Sequence, residues 1–253
     1  MSKKNLPAAD KLFLPQVTAQ FPFALPPKLH LLLLGGRAPA DTWLKATADH
    51  KILWAIDKGI EQFHRLNMPP QKLVGDADSG AEKSWLWAAE NRVAVCRHPT
   101  AKDYTDTQLA LFALADVAAQ SLSDTDKKSA QKKCAAFAVL AGAFGGRLDH
   151  LFSTLFSAAN AKTRNCLADE REAVFFVKSG EFVALNFVER PAALSLLPLT
   201  AKCAGVNVSG TRWELKAASL RQKMPFAVSN ETMAQTCRIS IKTGLLAVYL
   251  CFP

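Results

Sequence analysis

Between Leu29 and about Asn160, short apolar runs alternate with longer amphipathic stretches, the grammar of strands and helices taking turns along a chain. Leu31–Leu34, Ile52–Ile56, Leu73-Val74, Val93–Cys96 and Ala136–Leu140 read as buried parallel strands. Glycines or polar residues follow them, notably Gly35-Gly36, Asp57, Gly75-Asp76 and Gly142. In open α/β sheets ligands bind just outside the carboxyl ends of strands, so chemistry is expected at these junctions. Ser121–Lys133 is polar, lysine-rich and without period, which predicts an exposed loop. After Leu167 the grammar changes. Ala173–Val177, Phe182–Phe187, Val206–Val208, Arg238–Ile241 and Leu245–Leu250 are short, β-prone and separated by turn residues. The expected fold is therefore α/β: an amino-terminal parallel-sheet domain over 29–165, then a smaller carboxyl-terminal β-sandwich over 170–253. Residues 1–28 form an extension, and the polar stretch Ala161–Arg171 marks the boundary.

Composition narrows the class. With 253 residues, 49% hydrophobic and 21% charged, the chain has the makings of an ordinary globular protein and not of a disordered or disulfide-stapled one. The run Leu31–Leu34 is its longest purely aliphatic one and far too short to cross a bilayer, and no apolar stretch follows the early lysines, so neither a membrane span nor a secretory signal is expected. The six cysteines lack any C-x-x-C pair or nearby histidine at zinc spacing and read as small buried hydrophobes in a reducing, cytoplasmic compartment. A formal charge of +9 suits an anionic partner. Much of the excess sits in Lys127, Lys128, Lys132, Lys133, Lys216, Arg221 and Lys223, which read best as solvated faces; without an aromatic-rich recognition strand, nucleic acid is not the expected partner.

Three clusters carry candidate chemistry. Val74-Gly75-Asp76-Ala77-Asp78-Ser79 delivers two carboxylates from a strand end, the oxygen donors that Mg²⁺ prefers, although aspartates in such loops also serve purely local hydrogen bonding. In Lys102-Asp103-Tyr104-Thr105-Asp106-Thr107-Gln108, the Thr105/Gln108 spacing fits a capping box, so a helix starts there with its positive end beside Asp103 and Asp106. Such an end attracts phosphate, with Lys102 adjacent, while the plainer reading has these aspartates merely stabilising the first turn. Gly142–His150 is a glycine-rich strand-to-helix turn where backbone can approach a ligand, Arg147 can grip phosphate and Asp149 offers an acceptor.

Taken together, G-D-A-D-S, K-D-Y-T-D-T-Q-L-A-L and G-G-R-L-D-H, in this order, resemble the signature motifs of the thiamine pyrophosphokinase family. Leu33-Leu34-Gly35-Gly36 and Ala55-Ile56-Asp57-Lys58-Gly59 are similar to its first strand-loop and its aspartate-glycine loop. Ser209–Leu215, Val228-Ser229-Asn230 and Gly244–Leu246 resemble its β-domain pattern. The resemblance implies transfer of a diphosphate from ATP to the hydroxyl of thiamine, with AMP released. It implies Mg²⁺ held by Asp76, Asp78 and Asp106, with Asp103 a further candidate at the site. Gly35, Gly36, Asp57, Lys102 and Arg147 would contact ATP, Asp57 doubling as an outer metal ligand. Asp149, Trp213, Ser229 and Asn230 would meet thiamine, the tryptophan by stacking from the partner of a homodimer with shared sites. Departures are visible. Leu151–Thr154 lacks the family's asparagine after the aspartate-histidine pair, and Lys58 replaces a small residue. Diphosphate transfer to another heteroaromatic alcohol such as a pterin, or a silent thiamine- or nucleotide-binding regulator, are the alternatives.

Overall fold

The structure, a computed structural model, describes residues 10–75, 81–97, 103–121 and 134–253. The described residues begin with a short hairpin, β1 (Lys11–Phe13) and β2 (Val17–Gln20), before the α/β segment. There β3 (His30–Leu33), α1 (Asp41–Ala48), β4 (Ile52–Ile56), α2 (Gly59–Arg65), β5 (Lys72–Gly75), α3 (Glu82–Glu90) and β6 (Ala94–Arg97) alternate. Next come α4 (Asp106–Ser121), β7 (Phe137–Ala141), α5 (Leu148–Asn160) and β8 (Arg164–Ala168). The rest is β: β9 (Glu172–Lys178), β10 (Phe182–Phe187), β11 (Ala193–Pro198), β12 (Lys202–Ser209), β13 (Leu215–Arg221), β14 (Thr236–Ser240) and β15 (Leu245–Cys251).

These strands build two sheets, a nine-stranded one in the order β11-β15-β9-β8-β7-β3-β4-β5-β6 and a six-stranded one in the order β1-β2-β10-β14-β12-β13. From β8 to β6 the larger sheet is parallel; from β8 to β11 it is antiparallel. The polar stretch expected to separate the two halves holds β8, with Asn165, Cys166, Leu167 and Ala168 buried. The amide of Asn165 donates to the carbonyls of Ala158 and Thr163, which explains how a polar-looking segment can run through the interior. The change from parallel to antiparallel pairing thus occurs inside one continuous sheet, and one β layer of the carboxyl-terminal half is an extension of the parallel layer. The amino-terminal extension, unassigned by pattern, enters the other layer through β2 beside β10.

Alternation along the strands sorts the core into two faces. Leu31 and Leu33 point to the side that packs on Trp43 of α1, Ile60 and Phe63 of α2 and Trp85 of α3; on the same side Phe175 and Val248 meet Val183, Leu185 and Ile239 of the smaller sheet. Leu32 and Leu34 point the other way, against Leu111 and Leu114 of α4 and Ala158 of α5. Among the described residues no helix is long and apolar enough to cross a membrane.

One buried polar cluster joins the layers. Asp169 is fully buried and accepts from Arg37 at 2.6 Å and 3.1 Å, and from the amides of Arg171 and Glu172. Burial pushes the Asp169 carboxyl upward, while Arg37 and the two amides pull it back. Arg37 also reaches Glu172 at 2.6 Å, and Glu172 accepts the hydroxyl of Tyr249 at 2.8 Å. Gln16, from the β1–β2 turn, donates to the Asp169 carbonyl and accepts from the indole of Trp43.

Candidate active site

In the larger sheet the chain leaves β3 toward β4, β5 and β6, then returns to place β7 on the other flank of β3. The carboxyl ends of β3 and β7 therefore form the switch point of the parallel sheet, where a crevice must open because successive connections depart in opposite directions. A cleft of about 580 Å³ lies there. Leu34, Gly35 and Gly36 line it from the end of β3, Asp57 and Lys58 from the end of β4, and Gly142, Gly145, Gly146 and Arg147 from the turn after β7. Thr105, Asp106 and Thr107 enter from the start of α4, and His150 and Thr154, one helical turn apart, from α5.

The two glycine loops are zipped together beyond their strands. Leu34 donates to Ala141 at 2.8 Å, Gly36 to Gly142 at 2.9 Å and Arg37 to Phe144 at 2.7 Å. No side chain fits between them: a Cβ on Gly36 would lie 2.5 Å from the Gly142 carbonyl oxygen, and one on Gly142, whose φ is +67°, would lie 2.3 Å from that of Leu34. The glycines thus expose bare backbone to the cleft.

The start of α4 obeys its sequence. Thr105 donates its amide to Gln108 Oε1 at 2.9 Å, and Gln108 returns its amide to Thr105 Oγ1 at 3.3 Å, the reciprocal bonds of a capping box. This aims the positive end of a sixteen-residue helix into the cleft with half-buried Asp106 in the first turn. Asp103 lies exposed just outside it. Asp57 sits at φ +51° where β4 ends; its amide donates to Val74 of β5, and Gly75 lies against its backbone. Asp76, Asp78 and Lys102 fall outside the described residues, as do the lysines at 127–133.

Arg147 occupies the position just before α5 and holds Asp149 through two hydrogen bonds of 3.1 Å and 2.5 Å. That contact, helped by the amide of His150, keeps the Asp149 carboxyl below the ordinary carboxylate range. Arg147 lines the cleft; Asp149 is its partner at the rim. Trp213, Ser229 and Asn230 are brought together elsewhere, around the turn between β12 and β13, and none of them lines the cleft of its own chain. Trp213 is 55% exposed, its ring covered on one side by the Arg212 guanidinium at 5.0 Å.

Gly142, Gly145 and Gly146, expected to let backbone approach a ligand, line the cleft, and so do Thr105, His150 and Thr154, for which the sequence assigned no ligand contact. The i, i+4 spacing of His150 and Thr154 was the available signal for that pair. Arg37 carries no comparable signal, since only the fold brings Asp169 and Glu172 to it.

Residues 43–168 match the family described as "Thiamin pyrophosphokinase, catalytic domain" and residues 187–246 the one described as "Thiamin pyrophosphokinase, vitamin B1 binding domain". Among solved structures, the fold is similar to thiamine pyrophosphokinase from Bacillus subtilis, with a TM-score of 0.72 at 21% identity over 89% of this chain and 100% of that one. It is also similar to thiamin pyrophosphokinase from Candida albicans, with a TM-score of 0.69 at 13% identity over 90% and 95% of the two chains. No curated protein matches by sequence.

Proposed function

The chain belongs to the thiamin pyrophosphokinase family, and from that premise we propose that its cleft transfers a diphosphate group from ATP to the hydroxyl of thiamine, giving thiamine diphosphate and AMP. The observation that carries this reading is the switch-point cleft, where two glycine loops, the amino end of α4 and the side chains of Lys58 and Arg147 converge. Backbone amides, a helix amino terminus and cations are what a polyphosphate needs. In the reaction, the thiamine oxygen bonds to the β-phosphorus while the bond from that phosphorus to the α-phosphate oxygen breaks, and AMP leaves with the electron pair. Catalysis of such a step is mainly alignment and charge neutralisation, which this lining is built to supply.

Mg²⁺ fits the donor set. Asp57 and Asp106 bring carboxylate oxygens into the cleft, and Asp76 and Asp78 follow directly on β5, the neighbour of β4. In our reading Asp76, Asp78 and Asp106 hold the ion, with Asp57 as a further or outer ligand and exposed Asp103 as a lesser candidate. When bound, the ion neutralises charge on the phosphate oxygens. Gly35, Gly36, Lys102 and Arg147 contact ATP. Asp149 takes a hydrogen bond from the thiamine pyrimidine, and Trp213 stacks on thiamine. Because Trp213, Ser229 and Asn230 stand apart from the cleft of their own chain, we take the working unit to be a homodimer in which each β layer completes its neighbour's site. The six free cysteines support a cytoplasmic location.

Pure protein incubated with ATP, Mg²⁺ and thiamine should yield AMP and thiamine diphosphate in equal amounts. Stoichiometric ADP instead would mean transfer of one phosphate at a time and would overturn the reading.

A further inference from the structure

We infer that Asn230 is a positioning residue: its side-chain amide latches the Trp213 turn to the edge of the nine-stranded sheet, so that Asn230 serves the reaction through the tryptophan and not by touching thiamine. The inference rests on the reading that Trp213 stacks on thiamine.

The bonds of this amide are nearly used up. Its oxygen accepts the Trp213 N–H at 3.1 Å, and its nitrogen donates to the Trp213 carbonyl at 2.8 Å and to Thr211 Oγ1 at 3.2 Å. An asparagine amide has two N–H donors, so both are committed inside the turn, and a ligand could claim one only by breaking it. The backbone of the same residue faces the other way. Asn230 and Leu194 exchange amide-to-carbonyl bonds of 2.8 Å and 2.9 Å, and Ser229 donates to the buried Ser195 hydroxyl at 2.9 Å. Ser229 is held at φ +55°, a left-handed conformation that a serine keeps only when both flanks are anchored. Leu194 and Ser195 belong to β11, the edge strand of the sheet that carries the cleft, whereas Trp213 stands between β12 and β13 of the other sheet. Asn230 therefore bonds to the tryptophan turn through its side chain and to the catalytic layer through its backbone, beside the backbone bonds of Arg212 to Glu231 and of Met233 to Gly210.

The ring is oriented by a neighbouring pair. Glu231 holds Arg212 at 3.0 Å and 3.1 Å, and that guanidinium covers one face of the indole, leaving the opposite face for a flat cationic ring. An indole as exposed as this one has little packing to fix it, so the turn's hydrogen bonds decide where it points.

The test is a double-mutant cycle with Asn230→Ala, Trp213→Ala and the double variant, scored by the KM values for thiamine and ATP, together with amide exchange at Trp213. Asn230→Ala should raise the thiamine KM about tenfold with the ATP KM unchanged. In the Trp213→Ala background it should add nothing further, because its effect passes through the ring. Exchange of the Trp213 amide should speed up about tenfold once its acceptor is gone. Asn230→Asp keeps the acceptor and loses the donors, so it should raise the thiamine KM with little change in that exchange, and it carries the same cycle if the alanine variant does not fold. Multiplicative effects in the double variant, or unchanged Trp213 exchange in Asn230→Ala, would overturn the latch. A normal thiamine KM in Trp213→Ala would sink the stacking reading itself.

Discussion

Thr105, Asp106 and Gln108 share one turn of α4 but divide stability from chemistry. The box bonds belong to Thr105 and Gln108, while Asp106 places its carboxylate in the cleft. Asp106→Asn should therefore keep its unfolding free energy within about 1 kcal/mol of the wild type, the size of a helix-dipole contribution. Its kcat should fall on the order of a hundredfold or more, as expected when charge is removed from a phosphoryl-transfer site. Gln108→Ala should do the reverse, losing up to about 1 kcal/mol of stability with turnover retained. Kinetics and denaturation on the two variants check the division. His30 offers a second residue-scale test. It is buried edge-on against Trp54, its Nδ1 without a partner, and burial lowers its pKa. Since the folded pKa lies below the unfolded one, acidification protonates the unfolded chain first, below about pH 6.5. Stability is therefore full at pH 7.5 and declines on acidification. Urea midpoints at pH 7.5 and 5.5 should differ more in the wild type than in His30→Phe.

Between elements, the decisive contact is the seam of the β3 and β7 loops. Gly142 combines a positive φ with a carbonyl oxygen 2.3 Å from where a Cβ would be, whereas Gly180 has a similar φ of +77° and open space around it. Gly180→Ala should cost about 1 kcal/mol, the conformational strain alone. Gly142→Ala adds the forced separation of β3 from β7, so its thermal midpoint should fall clearly further and ATP affinity should fall with it. Equal midpoints would mean that the seam opens without cost. The same distinction shows what the chain could reveal in advance. Phe182–Phe187 is identical as pattern and as strand, and β3 and β7 were legible because their continuous apolar runs are buried on both faces, whereas β6, expected to be buried, is an edge strand and mostly exposed. β8, β11 and β13 were not, since Asn165 and Ser195 owe their burial to partners elsewhere in the chain, and β13 is largely exposed.

At the scale of the molecule, Arg37 and Asp169 tie the glycine seam, the hairpin and the antiparallel strands into one body. Arg37→Met would strand a fully buried carboxylate, a change that typically costs about 3 to 5 kcal/mol, and Arg37→Lys should recover little because a single ammonium cannot reproduce the fork. Denaturation of both variants checks this. The proposed dimer is tested by mixing Asp78→Asn chains with Trp213→Ala chains, each nearly inactive alone at a thiamine concentration well below the raised KM of Trp213→Ala. Under subunit exchange about half the dimers are mixed and each holds one intact site of two, so recovery should approach roughly a quarter of wild-type activity. If mass measurement confirms exchange and no activity returns, each site is built within one chain.

The sequence by itself determined the alternation of strands and helices, the capping box at Thr105 and Gln108, the glycine turns and the order of the acidic motifs. All of these follow from local rules: periodicity, backbone freedom and bonds between residues a few positions apart. Tertiary structure alone decided that β3 and β7 are neighbours, which makes Gly36 and Gly142 a single wall. It alone decided that the antiparallel strands continue the parallel sheet, that Arg37 meets Asp169, and that the Asn230 side chain serves the Trp213 turn. Each of those pairings joins positions far apart in the chain, and a hydrogen bond or a close approach between such positions exists only after the sheet order is fixed.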